Sequence, residues 1–190
     1  YQRIDEDRIS RRFGSNERIS QLEDLHVYSL NADFNKVFTK SRVLFYGLEI
    51  QYNYANSTAI NTNISTLSEN GAQTRYPGVS NYMTSGLYVE FKRKFSNQSS
   101  FTAGLRYSLI YANSQFQDTT FISLPFSEVN VFTSAPSGNI GFVMRPDTLT
   151  RIRMQATTGF RAPNIDDYGK VFEKKGITVV PNDNIKPEYA

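Results

Sequence analysis

From Val43 to Tyr54 the chain reads VLFYGLEIQYNY, and its side chains sort by parity. Leu44, Tyr46, Leu48, Ile50, Tyr52 and Tyr54 take the even positions, while from Gly47 onward Gly47, Glu49, Gln51 and Asn53 take the odd ones. A period of two places successive side chains on opposite faces of an extended strand, so one face is oily and the other wet. Four further segments repeat the pattern. They are HVYSLNADF from His26, MTSGLYVEFKRKF from Met83, FTAGLRYSLIY from Phe101 and TRIRMQATTGF from Thr150. NIGFVMRP, residues 139–146, is a shorter sixth, and YQRIDEDRIS at the start is strand-like without clean alternation. No segment fits the helical period.

The links between these segments carry a second pattern. NKVFTKSR, FSNQSS and RPDT are short and rich in turn residues, whereas residues 56–81, residues 112–138 and everything after Ala162 are long and polar. Loops beyond ~12–15 residues are uncommon in compact soluble domains. A transmembrane barrel sorts its links in this way, with short turns on one side of the membrane and long loops on the other. The expected strands also run well past the ~5–6 residues usual in globular sheets. The fold class expected is therefore all-β: an antiparallel, up-and-down transmembrane barrel segment of about seven strands, belonging to a larger barrel. Seven is one short of the smallest closed barrel, and no returning strand is expected after the last loop.

This architecture gives the 12 tyrosines and 14 phenylalanines a place in a chain that is only 39% hydrophobic. Phe95 and Phe101 are expected at the short-turn rim, and Tyr54, Tyr111 and Phe160 at the opposite rim, all facing lipid as interfacial aromatics. No apolar run reaches the ~18 residues of a spanning helix.

Composition excludes several kinds of chemistry. With no cysteine and a single histidine, His26, there is no disulfide, no thiolate nucleophile and no multi-histidine metal centre. His26 reads as a wall or interface residue. The carboxylate groups Asp5/Glu6/Asp7 and Asp166/Asp167 read as solvated acids. No P-loop, GxGxxG or GxSxG motif occurs, and no enzymatic activity, metal or cofactor is expected. A surplus of 21 basic over 18 acidic residues, scattered along the chain, gives no nucleic-acid footprint. Asn56, Asn63 and Asn97 begin N-x-S/T triplets of the kind polar loops produce by chance.

The last alternating segment ends in TTGFRAPNIDD, residues 157–167. Parity from Ile152 puts Phe160 toward lipid and Arg161 toward the lumen, in register with Arg151 and Arg153. Pro163, lacking an N–H, stops the ladder. Phe160, Arg161, Ala162 and Pro163 match the FRAP box of TonB-dependent outer-membrane receptors. Asn182, Asp183, Asn184, Ile185, Lys186, Pro187 and Glu188 resemble that family's NPNLKPE box, with Asp183 in place of a proline and Ile185 in place of a leucine. RISRRFGS, LFYGLEIQYN and TAGLRYS extend the resemblance over most of the chain.

The resemblance implies a 22-stranded barrel in the outer membrane, filled by an N-terminal plug. It also implies uptake of a scarce small-molecule or oligosaccharide ligand with energy passed through TonB. Residues 1–190 would be part of the barrel, with the plug, its TonB contact and the barrel closure elsewhere. Haem receptors of the family carry a histidine between the two boxes. Residues 164–181 contain none, which points to a siderophore, cobalamin or glycan instead. Tyr76 and Tyr82 are candidates for stacking on a sugar, and Arg106 and Arg161 for pairing with an anionic siderophore. A non-energised porin or adhesin barrel, and a soluble secreted β-sandwich, remain the alternatives.

Overall fold

The computed structural model describes residues 1–74, 76, 78–116, 127–164, 167, 172–174, 177–179 and 185–189. The order of strands is β1 (Gln2–Arg11), β2 (Glu17–Thr39), β3 (Arg42–Asn63), β4 (Glu69–Gly71), β5 (Val79–Lys94), β6 (Ser99–Gln115), β7 (Glu128–Met144) and β8 (Ile152–Thr157). Four short strands follow: β9 (Phe160–Arg161), β10 (Phe172–Lys174), β11 (Ile177–Val179) and β12 (Glu188–Tyr189). Strands β1, β2, β3, β5, β6, β7 and β8 are neighbours in that order in one antiparallel sheet, and β4 pairs with the far end of β3. The sheet is open, with β1 and β8 at its edges.

Register carries the sequence parity across the whole sheet. Ala32, Leu48, Leu87, Tyr107 and Pro136 form one row across five strands. The adjacent row is Asp33, Gly47, Tyr88, Arg106 and Ser137, on the other face. A one-residue slip in any strand would exchange the two rows, so burial of the apolar face in lipid fixes the register.

The apolar face has no protein cover. Leu30, Leu87, Leu105 and Phe132 are 59%, 62%, 70% and 73% exposed, and most of their neighbours on the same face are also apolar. A contiguous patch of this extent is untenable in water and natural in a bilayer. From Tyr52 down to Arg42 is ten residues, ~34 Å along a strand. At the usual barrel tilt that is ~25 Å of height, the thickness of the apolar band. Tyr28 and Tyr52 lie 6.3 Å apart at the upper edge of this band, with Tyr1 5.0 Å from Tyr28. His26 joins the same belt, 6.0 Å from the Tyr1 ring and 6.1 Å from the Tyr54 ring.

The short turns form within the expected links, the first tighter than expected because residues 35–39 continue β2. Lys40 and Ser41 close β2 onto β3, after an irregularity between Val37 and Thr39. In the next turn Ser96 Oγ accepts the Gln98 and Ser99 N–H groups, each at 3.1 Å. In the third, Asp147 Oδ1 accepts the N–H groups of Leu149 at 2.8 Å and Thr150 at 2.7 Å. These hydrogen bonds hold the Asp147 carboxyl below the usual carboxylate range.

At the opposite end the structure departs from the expected loops. Strands β2 and β3 run for 23 and 22 residues, about twice what a membrane requires. The stretch after Asn56 was expected to be loop, yet β3 continues to Asn63. Thr58, Ile60 and Thr62, β-branched, alternate with Ser57, Ala59 and Asn61, which suits a strand that no longer faces lipid. β1 pairs only with this upper part of β2, from Gln2 opposite Val27 to Arg11 opposite Arg18, and is wet on both faces. That explains its poor alternation. The β1–β2 link is correspondingly a tight turn, residues 12–16, in which Gly14 adopts φ +77°.

A second departure lies after Pro163. A returning segment does exist: β12 pairs with β9, Glu188 opposite Arg161 and Tyr189 opposite Phe160. Phe160 and Tyr189 lie with ring centres 6.4 Å apart across this pair.

Candidate functional site

The lumen face offers two groups of polar side chains, one at mid-height and one at the upper rim. At mid-height, large side chains lie flat against the wall because the strands beside them carry glycine. The Tyr88 ring crosses Gly47 and its hydroxyl donates to Asp33. The Arg106 guanidinium covers Gly86, pairs with Glu49 at 2.6 Å, and donates from Nε to Ser108 Oγ at 3.1 Å. Asn139 covers Gly104. A Cβ on Gly47 would sit 2.6 Å from the Ala32 carbonyl oxygen and 2.7 Å from Tyr88, so no larger residue fits there unchanged. Along this belt and the rows next to it toward the short turns runs a groove of about 410 Å³, lined by Glu49, Tyr88, Glu90, Arg106, Asn139 and Gln155 among others.

At the upper rim the FRAP box is drawn into a clasp. Arg161 Nη2 lies 2.7 and 2.9 Å from the two carboxylate oxygens of Asp167, and Nη1 lies 3.6 Å from Glu188. Asp167 Oδ2 accepts the Asn164 N–H at 3.0 Å, and the Asp167 N–H donates back to the Asn164 carbonyl at 3.0 Å. The Asn164 hydrogen bond, aided by Arg161, holds the Asp167 carboxyl below the usual range. Asp167 is therefore a partnered, half-buried acid rather than the solvated one expected. Pro163 is buried, and Ile185 of the second box packs on the lumen-side cluster of Ala112, Phe116, Val129 and Val131.

Of the residues singled out from sequence, Arg161 and Glu188 come together, and Ile185 and Tyr82 meet on the same apolar cluster. Tyr76 is half-buried on the segment between β4 and β5. Arg106 stands apart, in the mid-height belt. Ala162, Lys186 and Pro187 flank the clasp, while Asn182, Asp183 and Asn184 lie outside the described residues. Sequence reading missed Glu49, Asp33 and Asp167 as partners. Parity placed Glu49 on the lumen face, and the cross-strand register was the missing signal.

The upper lumen side holds further polar groups. Gln21 donates to the Gln73 carbonyl at 3.0 Å, bringing residues 72–74 close to Gln21 on the lumen side. Ser57 Oγ, Asn61 Oδ1 and Gln73 Oε1 are buried there without a hydrogen-bond partner among the described residues.

One sheet with an uncovered apolar face, a polar and ion-paired opposite face, and short turns closing its strands at the lower end defines a membrane-spanning β-barrel wall. The family described as "TonB dependent receptor-like, beta-barrel" matches the chain over residues 1–190, and the chain belongs to it. Comparison with curated proteins gave no match. The family comprises outer-membrane receptors and transporters, not enzymes.

Proposed function

We propose that residues 1–190 are part of the barrel wall of an outer-membrane receptor that takes up a scarce ligand with TonB-transmitted energy. The plug and the TonB contact would lie in other parts of the protein. The observation that carries this reading is the two-faced sheet, apolar outward and ion-paired inward, together with the clasped FRAP and NPNL-like boxes at its upper rim.

Among siderophore, cobalamin and glycan, a neutral hydroxyl-rich glycan suits the upper lumen side best. Arg106 and Arg161, the candidates for holding an anionic siderophore, are both engaged by carboxylates. Beside these pairs the upper lumen side is built of amides and hydroxyls around Ser57, Asn61 and Gln73, with Tyr76 and Tyr82 following in the chain. Such groups hydrogen-bond and stack on sugars without needing charge. Deleting the gene and measuring growth on glycans, ferric siderophores and cobalamin tests this. Loss of growth on one glycan alone supports it, and loss confined to an iron source or cobalamin overturns the ligand assignment.

A further inference from the structure

On the outward face, the described strands carry full charge at only three positions between the tyrosine belt and the short turns: Lys36, Arg42 and Arg93. All three are basic. All three sit at the short-turn rim, on the adjacent strands β2, β3 and β5. Arg42 and Arg93 are directly opposite one another in the ladder, and Lys36 pairs with Leu44, one step diagonally from Arg42. Like charges directly opposite destabilise a sheet, and among the described residues none of the three has a carboxylate partner. Two of them lie against aromatic rings instead, Lys36 Nζ 5.4 Å from the centre of Phe38 and Arg93 Cζ 4.7 Å from the centre of Phe95. Those rings anchor the rim at the membrane interface.

We infer that Arg42 and Arg93, assisted by Lys36, bind the headgroup phosphate of an anionic phospholipid on the outer wall of the barrel at its short-turn rim. Two guanidinium forks side by side can each engage phosphate oxygens, and the anion between them removes their repulsion. A lipid fits better than free phosphate. The outward residues next toward the membrane centre are Phe34, Leu44 and Phe91, which would lie along its acyl chains and give a soluble ion nothing. The cluster belongs to no part of the lumen site and needs no ligand of the receptor.

The inference rests on the membrane-spanning reading, and the test separates the two. The full-length receptor and its Arg42→Gln/Arg93→Gln variant are inserted into bilayer discs, and retained lipid is counted by native mass spectrometry against graded phosphatidylglycerol in phosphatidylcholine. A wild-type protein that does not insert overturns the membrane reading itself. For inserted protein, the variant should lose about five-fold in phosphatidylglycerol preference per arginine, given ~1 kcal/mol for each basic residue at an anionic surface. Lys94→Gln, which removes a lumen-side charge at the same rim, should change nothing. Should the double variant not fold, the single Arg42→Gln variant carries the same expectation at one five-fold step. Undiminished phosphatidylglycerol preference in these variants overturns the inference, as does displacement of the lipid from wild-type protein by millimolar inorganic phosphate.

Discussion

Replacing Gly47 with alanine is the sharpest probe of how the lumen wall is built. The added methyl would lie 2.6 Å from the Ala32 carbonyl oxygen, which is fixed in the β2–β3 ladder, and 2.7 Å from the Tyr88 ring and hydroxyl. Neither contact can stand, so Tyr88 must swing away from Asp33 and the ladder must give at Ala32. Overpacking of this kind costs about 1–3 kcal/mol, and a clash that includes backbone belongs at the upper end. Gly86→Ala meets only the far end of the flexible Arg106 side chain, at 2.4 Å, and Gly104→Ala meets only the Asn139 side chain, at 2.9 Å. Both should be milder. Denaturant unfolding of the full-length receptor in lipid vesicles gives the order, with Gly47→Ala lowest in midpoint. Gly47→Ala/Tyr88→Ala should be less destabilised than the two single effects summed, because the ring is no longer there to strike. If Gly47→Ala unfolds with the wild type, or the double variant is merely additive, the close-packed trough is wrong.

Other perturbations follow from the same geometry. Arg161→Gln should speed hydrogen exchange at the amides of Asn164 and Asp167 while leaving β5 to β7 protected; equal protection in both proteins would show that the clasp holds nothing. Because the Asp167 carboxyl is lowered in the folded protein, its contribution is fully present above the unfolded value of ~3.9 and is lost as pH falls through the folded one. Protection of this loop should therefore be flat from pH 8 to about pH 5 and decline only below about pH 4, which exchange measured across that range will check. Leu48→Arg, at mid-height on the outward face, should destabilise the barrel by ~2–4 kcal/mol in vesicle unfolding. Gln51→Arg, on the lumen face, should have a far smaller effect.

Within the bilayer the sequence was readable because lipid selects a largely apolar face. Leu44 to Tyr54 and Phe101 to Tyr111 alternate for that reason, and the observed register follows them. Above the bilayer the constraint lapses. The upper halves of β2 and β3, and all of β1, use polar and β-branched residues on both faces, so they read as loop or as weak strand. The site was legible in its motifs and less so in its contacts. FRAP and NDNIKPE were recognisable as words, but their meeting as Arg161 and Glu188 depends on β12 returning to β9, which no local pattern announces. The Glu49–Arg106 pair likewise depends on two inter-strand registers.

The central claim, that one sheet face meets lipid and the other an aqueous lumen, is tested most directly by cysteine scanning along β3. The chain has no cysteine of its own, so single substitutions at positions 44 to 54, apart from Gly47 where no larger side chain fits, report on this segment. In native outer membranes the even positions should resist a water-soluble maleimide and have attached fluorophores quenched by lipid-borne quenchers, with the odd positions from Glu49 onward doing the reverse. Uniform labelling along β3, or the opposite parity, would contradict the account.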